Sequence, residues 1–338
     1  MSEVTEVLIA RRGHLGHITL DRPRAINALT FDMVRRVTDA LTDWADDDAV
    51  QVVAIDGAGD RGFCAGADIK TLRDAILSGD DLGDRFFEAE YRMNALIAAY
   101  PKRIVTFMDG IVMGGGIGLS AHGSDRLVTE RSRIAMPEVG IGFFPDVGAT
   151  WLLSRAPGEL GTHLALTGDP IDGASAITCG LADSQVASNA WPSILEALRT
   201  ADPDEVLADH AIASAGTASA IEMERPWIDA AYAHDDVREI LDALDARPED
   251  AAHAAAASIR TRSPLSLTVT LRALREARSH PSLDAALARE LQLARAFLCT
   301  DDYVEGVRAA VVDKDRNPSW KPSSLEAVTP ELLAPFFP

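Results

Sequence analysis

Short apolar runs alternate with stretches of helical periodicity up to about residue 190 of the chain. Residues 52–55 and 104–108 are almost continuously apolar and are followed by aspartate and glycine, which predicts buried strands. Residues 31–44 place an apolar side chain at every third or fourth position, which predicts an amphipathic helix. Residues 7–10 and 17–20 predict two further short strands. This succession of strand–strand–helix and strand–helix units predicts a layered α/β fold.

From about Trp191 onward the pattern becomes helical, and alanine-rich amphipathic stretches dominate. We predict helices over residues 191–199, 237–244, 251–260, 265–278 and 283–298. Residues 313–322 contain two prolines and a tryptophan and predict an irregular segment. The chain is therefore predicted to comprise an α/β core over residues 1–190, which carries the functional site, and a mostly helical C-terminal region over residues 191–338.

The charge of the chain argues against two classes of partner. Its 52 acidic and 32 basic residues give a net charge of −20, which disfavours a nucleic-acid backbone or an anionic membrane surface. The start of the chain has neither the apolar core of a secretory signal nor the arginine-rich character of an organelle presequence. Its three cysteines form no CxxC pair and no zinc-ligand spacing, so we expect no metal site and a reducing, cytoplasmic location.

Two carboxylates, Glu138 and Asp146, each follow a proline and are separated by apolar residues and glycines. Desolvation in such surroundings raises the pKa of a carboxyl group and makes Glu138 a candidate base or nucleophile. The alternative for Glu138 is a solvated loop acid. Asp146 precedes residues 147–155, which have a helical pattern, so its alternative role is that of an ordinary helix N-cap.

Two stretches of small residues follow predicted strands, at residues 63–70 and 114–116. The second stretch opens a predicted helix, and free N–H groups at a helix start can bind a polarised oxygen. Tight turns and close packing explain the same glycines equally well. Neither stretch matches a dinucleotide-binding or P-loop pattern, and the chain has no G-x-S-x-G motif. The eight histidines form no H-x-x-x-H pair and are interpreted as surface or packing residues.

Taken together, these motifs resemble those of the crotonase (enoyl-CoA hydratase/isomerase) superfamily. The similarity rests on Asp-Arg-Pro at residues 21–23, Asn-Ala-Leu at residues 27–29, residues 63–70, and Met-Gly-Gly-Gly at residues 113–116. The resemblance implies a spiral of strand–strand–helix repeats followed by a helical C-terminal region. It also implies an oxyanion hole formed by the backbone amides of Ala67 and Gly115. The resemblance places five further residues at the acyl-CoA site: Ala65, Asp68, Ile69, Gly114 and Gly118.

Within the superfamily, the branch of 3-hydroxyisobutyryl-CoA hydrolases is the most similar. Hydratases are expected to carry a glutamate where this chain has Gly118, whereas their second glutamate matches Glu138. The hydrolase branch adds an aspartate where hydratases commonly have glycine, and this position matches Asp146. Residues 305–309 and the irregular segment at 313–322 are similar to the C-terminal tail of the same branch.

The resemblance implies hydrolysis of an acyl-CoA thioester, with 3-hydroxyisobutyryl-CoA, an intermediate of valine breakdown, as the expected substrate. Glu138 would attack the thioester or activate water, and Asp146 would bind the 3-hydroxyl group, position water or protonate the leaving thiolate. An enoyl-CoA hydratase or isomerase, and a non-catalytic acyl-CoA-binding protein, remain as alternatives. No cofactor is expected besides the CoA of the substrate, and homo-oligomerisation stays open.

Overall fold

The computed structural model describes residues 5–212 and 218–338. Its strands are β1 (Val7–Arg12), β2 (Leu15–Leu20), β3 (Val52–Gly57), β4 (Gly62–Cys64), β5 (Arg103–Met108), β6 (Ile111–Met113), β7 (Asp125–Val128), β8 (Arg133–Ala135) and β9 (Ser184–Gln185). The helices up to the middle of the chain are α1 (Phe31–Ala45), α2 (Ile69–Ser78), α3 (Leu82–Ala98), α4 (Gly115–Ser120), α5 (Ala149–Leu153), α6 (Leu160–Thr167), α7 (Gly173–Thr178) and α8 (Trp191–Ala197). The later helices are α9 (Pro203–His210), α10 (Ala220–Ala231), α11 (Val237–Asp245), α12 (Asp250–Arg260), α13 (Pro264–Ala277), α14 (Leu283–Phe297), α15 (Asp301–Val307) and α16 (Pro330–Leu333).

The larger sheet has six strands in the order β1-β2-β3-β5-β7-β9. Only β1 and β2 pair antiparallel, and the remaining neighbours are parallel. The apolar residues 52–55 and 104–108 are buried in β3 and β5, as the continuous apolar runs predicted. Helices and parallel strands in one chain confirm the predicted α/β class.

A second, three-stranded sheet has the order β4-β6-β8. The strands β4 and β6 are parallel, so their carboxyl ends lie at the same edge. Gly62 allows the close pairing, because a Cβ at this position would lie 2.4 Å from the backbone nitrogen of Ile111. The loops that leave β4 and β6 are the two glycine-containing stretches identified in the sequence.

The strongly amphipathic helices form where the periodicity predicted them. In α1 the hydroxyl of Thr30 caps the helix by accepting from the N–H of Met33 at 3.2 Å, and the apolar stripe is buried. Residues 313–322 contain no helix or strand, as expected. The sequence did not predict α6, whose residues are buried on nearly every side, because such a helix has no polar face to define its period. The helix predicted over residues 147–155 begins only at Ala149.

The chain forms two compact units. The first contains the chain up to Ala67, Arg92–Ile134 and Ile171–Ala220, and it holds the six-stranded sheet. The second contains Asp68–Tyr91, Ala135–Pro170 and Ile221–Pro338, and it is largely helical. The division at residue 190 stays a prediction. Within the described residues, no helix is long and apolar enough to cross a bilayer.

Candidate active site

Two loops of the first unit, at residues 64–67 and 113–116, lie directly against each other. A Cβ on Gly66 would approach the carbonyl oxygen of Met113 to 3.2 Å and the nitrogen of Gly115 to 3.4 Å. A Cβ on Gly116 would lie 2.6 Å from the carbonyl oxygen of Cys64. Gly66 also has a φ of +99°, which side-chain-bearing residues rarely adopt. Glycine is therefore required at this contact both for space and for backbone conformation.

The backbone amides of Ala67 and Gly115, predicted as oxyanion donors, belong to these two loops. Gly115 is the first residue of α4, where N–H groups have no acceptor within the helix. Among the described residues, neither the Ala67 nor the Gly115 amide has a backbone acceptor. Two unengaged N–H donors on adjoining loops are what stabilisation of a developing oxyanion requires.

The side chain of Asn27 forms hydrogen bonds to backbone carbonyl groups just before the first of these loops. The side chain is fully buried, and its amide nitrogen donates to the carbonyl oxygens of Gly62 and Phe63 at 3.2 and 3.0 Å. The N–H of Ala65 donates to the carbonyl oxygen of Ile26 at 2.9 Å. The Asn-Ala-Leu motif, used in the sequence only as a family signature, thus fixes the conformation of the glycine-containing loop.

The remaining predicted binding residues fall into two groups. Ala65, Gly114 and Gly118 lie in the first unit, and Gly118 is buried within α4, where it offers no carboxylate. Asp68 and Ile69 belong to the second unit, where the carboxylate of Asp68 caps α2 by accepting from the N–H of Thr71 at 3.2 Å.

The second unit contains four buried carboxyl groups that influence one another. Glu138 begins a 3₁₀ turn and is 6% exposed, and Asp146, in the loop before α5, is 4% exposed. Glu90 on α3 and Glu290 on α14 are 1% and 0% exposed. The sequence pattern indicated Glu138 and Asp146 but not Glu90 or Glu290. A glutamate within a helical pattern normally faces solvent, and only the tertiary packing reveals that these two are buried.

Burial dominates the electrostatics of this cluster. It raises the pKa of Glu138 well above the ordinary value, and the negative charges of Asp146 and Glu90 add to the rise. It raises the pKa of Asp146 to about 7, although the hydrogen bond from Tyr91 opposes the rise. The pKa of Glu90 is raised by burial and by the charge of Asp146. Such carboxyl groups share protons near neutral pH rather than being ionised together.

The hydrogen bonds of the cluster distinguish its members. The hydroxyl of Tyr91 donates to Oδ2 of Asp146 at 2.6 Å. By contrast, buried Oε1 of Glu90 and Oε2 of Glu138 have no hydrogen-bond partner within the described part of the chain. A buried polar atom without a partner loses free energy unless a ligand or water satisfies it. These two oxygens are therefore the ones available for water or substrate.

An aromatic cluster in the second unit includes Tyr91, the hydrogen-bond partner of Asp146, whose ring centroid lies 6.0 Å from that of Phe87. Phe143, between the two acids in sequence, stacks on Phe87 with ring centroids 5.1 Å apart. It also contacts Phe297 and Tyr303, whose ring centroids lie 5.3 and 5.4 Å away. Residues 139–144 thus contribute Phe143 to an aromatic cluster within the same unit as the buried carboxyl groups.

The N-cap interpretation of Asp146 is wrong. Helix α5 begins at Ala149 and its N-cap is Gly148, so Asp146 lies two residues before the cap position. The N–H groups of Gly148 and Thr150 donate instead to the carboxylate of Glu290, at 2.6 and 3.0 Å. The carboxylate of Asp146 is thereby left for Tyr91 and for chemistry.

Comparison with known proteins agrees with the motifs. The family described as enoyl-CoA hydratase/isomerase matches residues 15–337. The mitochondrial 3-hydroxyisobutyryl-CoA hydrolase of Rattus norvegicus is 40% identical, over 99% of this chain and 89% of its own length. The human protein of the same name is 36% identical, over 97% and 87%.

Solved structures with the same fold belong to proteins that are named as a dehydratase and a hydratase rather than as hydrolases. A carnitinyl-CoA dehydratase from Mycobacterium thermoresistibile has a TM-score of 0.95 and 45% identity, covering 98% of this chain and 96% of its own. An enoyl-CoA hydratase from Rhodobacter sphaeroides 2.4.1 has a TM-score of 0.91 and 40% identity, covering 98% and 97%. These similarities confirm the predicted crotonase-like fold.

Proposed function

The chain belongs to the enoyl-CoA hydratase/isomerase family, and from that premise we propose that it hydrolyses 3-hydroxyisobutyryl-CoA to 3-hydroxyisobutyrate and CoA. One observation supports the proposal: Glu138 and Asp146 are both buried, whereas Gly118, which by the family resemblance takes the place of the first hydratase glutamate, offers no carboxylate. Hydration shares one water between two glutamates and is disfavoured by this exchange, while thioester hydrolysis needs only one base or nucleophile.

In the proposed reaction, the thioester oxygen accepts from the backbone amides of Ala67 and Gly115, each contributing roughly 3–4 kcal/mol to the stability of the tetrahedral intermediate. Glu138 either attacks the carbonyl carbon or removes a proton from the attacking water. The C–S bond then breaks and, where Glu138 is the nucleophile, leaves an acyl anhydride on Glu138 that water hydrolyses to the free acid and the carboxylate; the CoA thiolate takes up a proton. Because its pKa is raised to about 7, Asp146 is protonated in part of the molecules at neutral pH and can supply that proton or bind the 3-hydroxyl group. We further propose that Ala65, Asp68, Ile69, Gly114 and Gly118 contact the acyl-CoA.

A second candidate is hydration or dehydration of a CoA thioester. It is favoured by the names of the two solved structures, which are a dehydratase and a hydratase. The absence of a carboxylate at Gly118 disfavours hydration and dehydration. A non-catalytic acyl-CoA-binding role is disfavoured by the two buried acids, since burying ionisable groups costs free energy without benefit to a simple binding protein.

The first test is a panel of acyl-CoA thioesters. We expect the purified protein to release free thiol from 3-hydroxyisobutyryl-CoA, measured with a thiol-reactive dye, and to leave the enoyl absorbance of crotonyl-CoA nearly unchanged. Loss of that absorbance without thiol release would identify a hydratase instead. Binding of both thioesters without turnover would favour the acyl-CoA-binding role.

A second prediction concerns the contact between the two loops. Gly66→Ala should lower kcat at least about tenfold, because the new Cβ meets Met113 and the nitrogen of Gly115 and displaces an oxyanion donor. Gly180→Ala is the matched control. Gly180 also has a positive φ, +75°, but a Cβ there meets nothing within 4 Å. Equal kcat values for the two variants would show that the loop contact is not part of the site.

The wider setting of the protein follows from the proposed reaction. Hydrolysis of the thioester needs only water as co-reactant, so we propose that the enzyme needs no cofactor.

We also propose a cytoplasmic location, although the similar hydrolases are named as mitochondrial proteins. Subcellular fractionation of the native host tests this assignment, and enrichment with an organelle would contradict it.

A further inference from the structure

The turn that follows Asp146 has a backbone conformation that its sequence does not favour. Val147 has a φ of +56°, in the left-handed region, and the next residue, Gly148, has a φ of +82°. Glycine adopts this conformation readily, but a β-branched residue does so only when the surrounding structure imposes it. The direction of the Asp146 side chain depends on this turn, because the turn starts at the adjacent peptide bond.

Glu290 accepts hydrogen bonds from two residues that follow Val147 in this turn. Its carboxylate is fully buried, and Oε2 accepts from the N–H of Gly148 at 2.6 Å. Its Oε1 accepts from the N–H and the hydroxyl of Thr150 at 3.0 and 2.5 Å. Glu290 thus accepts three hydrogen bonds, all of them from residues that follow Asp146.

Because Glu290 accepts these hydrogen bonds, Asp146 does not have to cap α5 with its own side chain. An aspartate just before a helix commonly caps it with its own side chain. Here Glu290 satisfies the first N–H groups of α5, and the carboxylate of Asp146 receives the hydroxyl of Tyr91 at 2.6 Å instead. A simple cap needs only a serine or an asparagine, whereas burying a carboxylate is costly. The costlier group therefore points to a role beyond capping.

We propose that Glu290 is a positioning residue for Asp146: by holding the turn at residues 147–150, it keeps the Asp146 carboxylate against Tyr91 and directed toward the substrate. This inference rests on the proposed hydrolase function, in which Asp146 touches the substrate. Glu290 itself does not touch the reacting atoms and acts only through the turn.

A double-mutant cycle tests the coupling. Glu290→Gln keeps the size of the side chain but replaces one acceptor oxygen by an NH₂ group, so one backbone N–H of the turn loses its acceptor. We expect this variant to lower kcat/KM for 3-hydroxyisobutyryl-CoA about tenfold or more. In an Asp146→Asn background, the same change should cost less than threefold, since the group that it positions is already lost. Equal losses in both backgrounds would reduce Glu290 to a merely structural role.

Thr150 offers a milder variant, should Glu290→Gln unfold the protein. Thr150→Val removes only the hydroxyl that donates to Glu290, and Thr150→Ser retains it. We expect a loss of kcat/KM in the first variant and recovery in the second. Wild-type kcat/KM in a folded Thr150→Val protein would overturn the proposal.

A spectroscopic measurement keeps the inference separate from the proposed function. A buried tyrosine hydroxyl that donates to a carboxylate at 2.6 Å is expected to give a downfield proton resonance, which Tyr91→Phe identifies by its absence. Glu290→Gln should shift or broaden this resonance. Asp284→Asn, which removes an exposed carboxylate from the same helix, should leave it unchanged. An unchanged resonance in Glu290→Gln contradicts the positioning role. A wild-type protein without thioesterase activity contradicts only the proposed function.

Discussion

Replacing Glu138 by glutamine is expected to lower kcat by about 10² or more, while KM for the thioester stays within a few fold of wild type. Glutamine keeps the shape of the side chain and its capacity for hydrogen bonds, but it can neither attack the thioester nor accept a proton from water. Stopped-time thiol release at saturating substrate measures kcat directly. Glu205→Gln, at an exposed position of α9, controls for the loss of one negative charge. Turnover near wild type in Glu138→Gln would remove this acid from the mechanism.

The same variant should change the pH dependence of stability in a definite direction. The pKa of Glu138 is raised in the folded protein, so the native state holds this proton more tightly than the unfolded chain. Its contribution to the free energy of unfolding is therefore full below the ordinary carboxyl pKa and is lost as the pH rises toward the raised value. Glu138→Gln has no such proton to lose. The melting temperature of the variant should fall less than that of wild type between acidic and neutral pH.

Asp146→Asn is expected to lower kcat/KM for 3-hydroxyisobutyryl-CoA by about 10² or more, at a nearly unchanged melting temperature. Asparagine remains a hydrogen-bond partner for Tyr91, but it cannot donate a proton to the leaving thiolate. Gly148 is the N-cap of α5, and its N–H donates to Glu290. A lower kcat/KM in Asp146→Asn therefore cannot be attributed to a broken helix cap.

The choice of substrate separates the two roles proposed for Asp146. If it binds the 3-hydroxyl group, isobutyryl-CoA, which lacks that group, should be hydrolysed by wild type and Asp146→Asn at more similar rates. If Asp146 supplies the proton to the thiolate, Asp146→Asn should lower kcat/KM by the same factor for both substrates. Equal kcat/KM of Asp146→Asn and wild type on both thioesters would show that Asp146 has only a structural role in the turn.

The sequence predicted those parts of the molecule whose cause is local. Residues 52–55 and 104–108 are strands because continuous apolar runs suit parallel strands buried on both faces. Glu138 could be identified because its sequence neighbours are apolar, and the side chain is indeed buried in the fold. The loops at Gly66 and Gly115 stand out as small residues after strands, but only the family resemblance distinguished them from ordinary tight turns.

The missed features have causes that are distant in sequence. Glu90 and Glu290 sit in helical patterns in which a carboxylate usually faces water, and nothing nearby marks them as buried. Tyr91 has no local feature that would pair it with Asp146. The late start of α5 was also unpredictable, because valine disfavours the left-handed conformation that Val147 adopts. In each case a residue far along the chain determines the local outcome.

The hydrogen bonds from Gly148 and Thr150 to Glu290 bear on how the enzyme matures during synthesis. The acceptor is 142 residues beyond Gly148 in the chain, so a ribosome produces both acids of the site long before the group that fixes one of them. A nascent polypeptide that ends before α14 carries Glu138 and Asp146 but offers no carboxylate to this turn. Full competence for turnover is therefore expected only late in translation, and termination before Glu290 is expected to lower kcat/KM even though Glu138 and Asp146 are already present.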